Sequence, residues 1–180
     1  MSARLLGLGF ALLAMPAAAL EFTTLAVTHQ GPVYHVVVDV RLDAPLPRVR
    51  ATLLDVQALT QLDPSVTAAR SAPMTGGTRV ESEIEECLLG ICRRLLHVQR
   101  VVAQDNTIRA ETLPVTGSSF RSGIAHWQLT AEGEGTRLVF TADTEPDLWV
   151  PPWIGPPLVL NKLRDKTRSS LEKLEQLARE

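Results

Sequence analysis

The chain has 180 residues, 45% of them hydrophobic and 4% aromatic, with a formal net charge of -2. That length suits one domain with a substantial core. Its scattered basic residues and scarce aromatics exclude nucleic acid as a partner, which needs a concentrated cationic surface and stacking platforms.

Arg4 precedes an apolar run from Leu5 to Met15, followed by Pro16 and Ala17-Ala18-Ala19. A positive start, a short apolar core and an Ala-x-Ala site are the layout of a secretory signal, so residues 1–19 are expected to be removed and the mature chain to begin at Leu20. The run falls short of the roughly 20 residues that a spanning helix needs. No Cys lies at the cleavage region to accept a lipid. The expected destination is the bacterial periplasm. Residues 20–33 read as an N-terminal extension and 34–180 as the folded domain.

Tyr34, Val36, Val38, Val40 and Leu42 alternate with His35, Val37, Asp39, Arg41 and Asp43, the period of a half-buried strand. Asp43-Ala44-Pro45 opens a helix with Val49, Leu53 and Leu54 as its apolar face. A second short helix, Val56 to Leu62, ends before Asp63-Pro64. Val66 to Ser71 reads as a strand and Met74-Thr75-Gly76-Gly77 as a turn.

From Thr78 to about Ala103 runs a long hairpin. In Cys87-Leu88-Leu89-Gly90-Ile91-Cys92, a two-residue turn at Leu89-Gly90 sets Cys87 opposite Cys92 at a non-hydrogen-bonded position. Alpha-carbons approach there to roughly 4.5 Å, close enough for a disulfide. A redox pair would want a two-residue gap at a helix start, and a metal site further ligands at fitting spacing. Neither is present, and no cofactor motif or metal site is expected.

The same register sets Glu86 opposite Arg93, Ile84 opposite Leu95, Ser82 opposite His97 and Val80 opposite Gln99, all on one face. Glu81, Glu83, Glu85, Arg94 and Arg100 occupy the other, which reads as solvated. If the first face is concave, Ser82, His97 and Gln99 orient an otherwise apolar ligand beside Ile84 and Leu95. A slip of one residue would turn them all outward. Strands from Thr107 to Leu113, Gly123 to Ala131 and Thr136 to Glu145 follow, with Trp127 facing inward and His126 outward.

The chain ends in a proline-rich loop and a helix reaching about Ala178. Trp149, Trp153 and Ile154 make that loop apolar. It is either a lid that opens in transient contact with a membrane, where Trp favours the interface, or a plug for the end of the sheet. On the helix, Leu160, Leu163, Thr167, Ser170, Leu174 and Leu177 share one face. Thr167 and Ser170 are short for a buried stripe. Either a ligand fills the space they leave, or Leu171 and Ala178 do.

Strand, two short helices, an antiparallel meander and a long helix make an α+β chain, with the helix the one element long enough to cover the sheet. The order of Val36-Val37-Val38-Asp39-Val40, Asp43-Ala44-Pro45, Leu54-Asp55, Asp63-Pro64-Ser65-Val66 and Gly135-Thr136-Arg137-Leu138 resembles the START-related superfamily, also called SRPBCC. That superfamily includes polyketide cyclases, coenzyme-Q-binding proteins and birch-pollen-allergen-like proteins. The resemblance implies a helix-grip: a curved antiparallel sheet of about seven strands wrapped around the C-terminal helix, with an apolar cavity between them. Residues 34–180 would then be a START-like ligand-binding domain. The superfamily shares no catalytic motif, so no catalytic residue carries over.

The expected function is therefore to bind or carry a hydrophobic small molecule, lipid-, sterol- or quinone-like, with Ser82, Ile84, Leu95, His97, Gln99, Trp127, Leu163, Thr167 and Ser170 around it. The alternative is a cyclase- or dehydratase-type enzyme using His97 as acid or base. A third reading has the apolar loop docking a protein.

Overall fold

In the computed structural model, which describes residues 20–88, 90–147 and 155–180, strand β1 (Glu21–Gln30) turns back on β2 (Val33–Leu42). Gly31, with φ +58°, takes the left-handed backbone of this turn, where a side chain would be strained. Two short helices follow, α1 (Leu46–Leu54) and α2 (Leu59–Leu62). Then come β3 (Val66–Met74), β4 (Gly77–Leu88), β5 (Ile91–Gln104), β6 (Thr107–Thr112), β7 (Phe120–Glu132) and β8 (Gly135–Pro146), and last α3 (Gly155–Arg179).

The strands form one curved antiparallel sheet in the order β1-β2-β8-β7-β6-β5-β4-β3. The helix-grip architecture is as expected, with eight strands in place of about seven. The added strand is β1, built from residues read as an extension. A bulge between Phe22 and Thr24 breaks its alternation, so Phe22, Leu25 and Val27 do not follow a period of two. Leu54, expected on the apolar face of α1, is exposed at the helix end. Val49 is buried there, with Leu46 and Leu53 packed beside it.

One end of the grip is solid. Val36, Val38, Val40 and Leu42 of β2, Leu129, Leu138, and Val49, Ala58 and Leu62 from the two short helices pack with Leu171, Leu174 and Ala178 of α3. Polar contacts lock that end. The Asp43 amide donates to Glu175 Oε1 at 2.9 Å, Arg179 Nε donates to the Asp43 carbonyl at 2.9 Å, and the Thr136 hydroxyl donates to the Ala44 carbonyl at 2.7 Å.

On the convex face, Arg137 pairs with Asp39, Arg100 with Glu111, and Arg70 and Arg79 with Glu81. Such exposed pairs add little stability but keep the face wet. Among the described residues, no helix is long and apolar enough to cross a membrane.

Candidate functional site

The β4–β5 hairpin has the register its turn implies: Ser82 lies opposite His97, Ile84 opposite Leu95, Val80 opposite Gln99 and Cys87 opposite Cys92. The two cysteines form the expected disulfide, with alpha-carbons 3.9 Å apart. Glu85 lies near both sulfurs. Sulfurs bonded to each other offer a metal no thiolate, so this trio does not make a metal site.

Following the register outward from β5 gives the concave wall its chemistry. Gln99 faces Thr112 on β6, while Ala110 faces Ala125 on β7 and Ala125 faces Ala142 on β8. Three alanines thus lie side by side across the sheet, and Ala110 and Ala125 are themselves buried. Next to them runs a polar row: Tyr34, Thr144 and Gly123 are successive cross-strand partners, and Thr112 lies against Gly123. A methyl group added at Gly123 would sit 2.6 Å from Thr112 Oγ1. Glycine is needed there for close approach, not for an unusual backbone.

His97 is held on this wall from two sides. Its Nε2 lies 2.8 Å from Thr112 Oγ1, and its ring stacks on Phe120 with centroids 4.1 Å apart. Phe120 reaches it because the segment after β6 folds back along β5. The Leu113 amide donates to the Val98 carbonyl and the Ser119 amide to the Leu96 carbonyl, each at 2.8 Å. Burial pushes the His97 imidazole down to about 4, so it is neutral at neutral pH. Yet His97 keeps accessible surface.

Ser82, opposite it, is only 7% exposed. Among the described residues its hydroxyl meets no hydrogen-bond partner, and no fully enclosed side-chain polar atom lacks one. The Ser82 hydroxyl is therefore not fully enclosed.

Helix α3 faces this wall unevenly. Its packing is concentrated on α1, β1 and α2, at the solid end. Leu171 and Ala178 are buried there, while Leu160, Leu163, Thr167 and Ser170 are only half-buried. Leu171 and Ala178 fill the C-terminal half of the stripe, and toward the other end Leu160 and Leu163 also pack against the core, with Thr167 and Ser170 half-buried between them.

Toward β4 the helix reaches out with lysines. Lys166 Nζ meets Asp63 at 2.9 Å and Ser65 Oγ at 2.5 Å, and it also pairs with Glu86. Lys162 pairs with Glu86 and donates to the Cys87 carbonyl at 2.8 Å. Burial alone would raise the Glu86 carboxyl; the two ammonium groups outweigh it and hold it below the usual range. Glu86 is thus tied to α3 and not to Arg93, which is exposed.

Ser82, Ile84, Leu95, His97 and Gln99 come together on the concave wall, with Ser82 and Leu95 buried. Trp127 lies further along it, tilted on Phe140 with centroids 5.0 Å apart and packed against the solid end. His126 points outward and is exposed, as expected. Trp149, Trp153, Ile154 and the signal-like residues 1–19 lie outside the described residues.

Sequence reasoning missed Thr112, Phe120, Gly123, Lys162 and Lys166. Each matters through a neighbour that only the sheet register or the placement of α3 supplies. Chemically the wall offers neutral hydrogen-bonding groups. Among the described residues, no carboxylate or cation bonds to His97, so no acid-base pair is assembled around it.

Residues 34–179 match a family described as polyketide cyclase / dehydrase and lipid transport. Among solved structures, the STAR-related lipid transfer protein from Xanthomonas axonopodis is similar with a TM-score of 0.65 at 18% identity, over 93% of this chain and 97% of that one. The Zhui aromatase/cyclase from Streptomyces sp. R1128 gives 0.64 at 17% identity, over 82% and 94%. A START superfamily protein from Mycobacterium smegmatis gives 0.62 at 19% identity, over 79% and 94%. At these identities the likeness is one of fold. No curated protein matches the chain in sequence.

Proposed function

The chain belongs to the polyketide cyclase / dehydrase and lipid transport family, and on that premise we propose that it is an exported carrier of a hydrophobic small molecule, held between the concave sheet and α3. The observation that supports this most is the row Ser82, His97 and Gln99 on the concave face of the sheet, polar groups set beside Ile84 and Leu95 where an apolar ligand would need orienting. Thr167 and Ser170, short and only half-buried on α3, support the same reading from the helix.

Lipid transfer in the similar Xanthomonas protein fits this reading, and aromatase/cyclase activity in the similar Streptomyces protein fits the enzymatic alternative. Binding is favoured. A catalytic His97 would want a pKa near the working pH and a partner to exchange protons with, and it has neither among the described residues. Export to the periplasm is part of the proposal. It rests on Arg4, the apolar run and Ala17-Ala18-Ala19, and it suits a chain with a disulfide.

The test is mass spectrometry of an organic extract of the protein purified from its native periplasm. A stoichiometric apolar molecule, absent from a control extract, is the expected result. Repeated absence of any such molecule, with no rise in melting temperature on adding apolar compounds, contradicts the proposal.

A further inference from the structure

A strand at the edge of a sheet exposes half of its backbone donors and acceptors, and proteins guard such edges with charge, proline or a bulge. The two edges of this sheet, β1 and β3, are guarded unequally. Arg70 stands at the middle of β3 with its side chain 73% exposed. Pro73, whose register puts its nitrogen on the open side, has no N–H to offer. Two copies of β3 meeting centre to centre would set Arg70 against Arg70.

Past its bulge, β1 has no such guard. From Thr24 to Gln30 it carries no Lys, Arg, Asp, Glu or Pro. Gln30 closes a two-residue turn onto Val33, so alternation bonds Ala26 and Thr28 to β2 and turns the N–H and carbonyl groups of Leu25, Val27 and His29 to the open side. Among the described residues no strand pairs with β1 there. The outer face beside this edge is neutral as well: Ala26 and Thr28 are exposed, and Val37, opposite Ala26 on β2, is 42% exposed. On either side of Val37 the polar side chains are already engaged, Asp39 by Arg137 and His35 by Asp143. The strand also lies outside residues 34–179, the span that matches the family.

We propose that β1 pairs with β1 of a second copy of this chain, antiparallel about a two-fold axis at Val27, joining two sheets into one. Val27 then faces Val27 of the second copy and Leu25 faces its His29, each pair exchanging both backbone bonds, while Ala26 faces Thr28 on the outer side. No charge meets a like charge, because Glu21 lies before the bulge and beyond the paired stretch. The neutral strip of Ala26 and Val37 continues from one copy into the other. This pairing does not depend on the carrier reading.

Sedimentation velocity of the protein purified from its native host, from low to high micromolar concentration, tests the proposal. The native protein is expected at twice the mass of one chain. Ala26→Lys with Thr28→Lys sets lysine against lysine across the axis at two exposed positions; it is expected at the mass of one chain, with native circular dichroism. Ala26→Lys with Thr28→Glu sets each lysine against a carboxylate and is expected to restore the doubled mass. A native protein at the mass of one chain overturns the proposal. So does a dimer that survives the double lysine substitution, and so does a lysine and glutamate variant that stays monomeric. Amide exchange in the native protein gives a reading that needs no variant. The Leu25, Val27 and His29 amides are expected to exchange about tenfold more slowly in a concentrated sample than in a dilute one, with Ala26 and Thr28 unchanged. Equal exchange at both concentrations overturns the pairing.

Discussion

His97 Nε2 and Thr112 Oγ1 lie 2.8 Å apart, joining β5 to β6 on the concave face. The contact satisfies both polar groups, so His97 contributes to the wall mainly as a positioned, neutral ring. His97→Ala should leave Nile red affinity within a few-fold of the native value. An acid or base catalyst would instead lose roughly a hundredfold or more in rate. Binding titrations of the variant, beside turnover assays on polyketide-like substrates, distinguish the two.

Stability should depend on pH through the same residue. Above about 6.5 the imidazole is neutral in both the folded and the unfolded chain. As pH falls from 6.5 toward about 4, the unfolded chain takes up the proton and the folded chain does not, so folding weakens through that window and the loss levels off below it. The full effect is ~3 kcal/mol. Urea unfolding of the native protein and of His97→Gln across this range checks it: the variant should show a shallower decline. Identical slopes would place His97 in contact with bulk water.

Gly123→Ala should disturb Thr112 without unfolding the sheet. The new methyl would lie 2.6 Å from Thr112 Oγ1, a side-chain atom that rotates away, and 3.4 Å from the Asp143 carbonyl, an ordinary contact. Freed from Thr112, His97 should titrate differently by NMR. Thr112→Val, which removes the hydroxyl at nearly constant shape, should give the same change. An unaltered His97 titration in both variants contradicts the coupling.

How far the site was legible in the sequence follows from the range of the forces that build it. The pairing of Ser82 with His97 was readable because a two-residue turn fixes the register of a whole hairpin, and the cysteines mark that turn. Thr112 and Gly123 were not readable. The segment from Leu113 to Ser119 separates β6 from β7, and nothing local says which residues meet across it. Strand β1 was hidden by its bulge. Lys162 and Lys166 lie off the stripe that helical spacing picks out, and their role depends on where the tip of β4 comes to rest. The helix stripe allowed a packed or an open reading because spacing along a helix does not say what lies opposite it; Leu171 and Ala178 are buried, while Thr167 and Ser170 are half-buried.

At the solid end, Glu175 should matter more than its charge suggests. It is 6% exposed, accepts from the Asp43 amide at 2.9 Å and pairs with Arg179. Glu175→Ala strands that amide and should cost ~1–3 kcal/mol. Glu175→Gln, which keeps an acceptor, should cost less. Midpoints of urea unfolding compare them; equal losses would mean that the pairing with Arg179, not the hydrogen bond to Asp43, carries the effect.

Whether the grip is hollow is answered most directly by Ser82→Phe, assayed for melting temperature and Nile red binding together. A phenyl ring forced into a packed core costs about 1–3 kcal/mol through strain, whereas one placed in an empty space meets no resistance and gains apolar contact. The account predicts a melting temperature equal to or above that of the native protein, with dye binding lost. A melting temperature lower by several degrees, with dye binding unchanged, would contradict it.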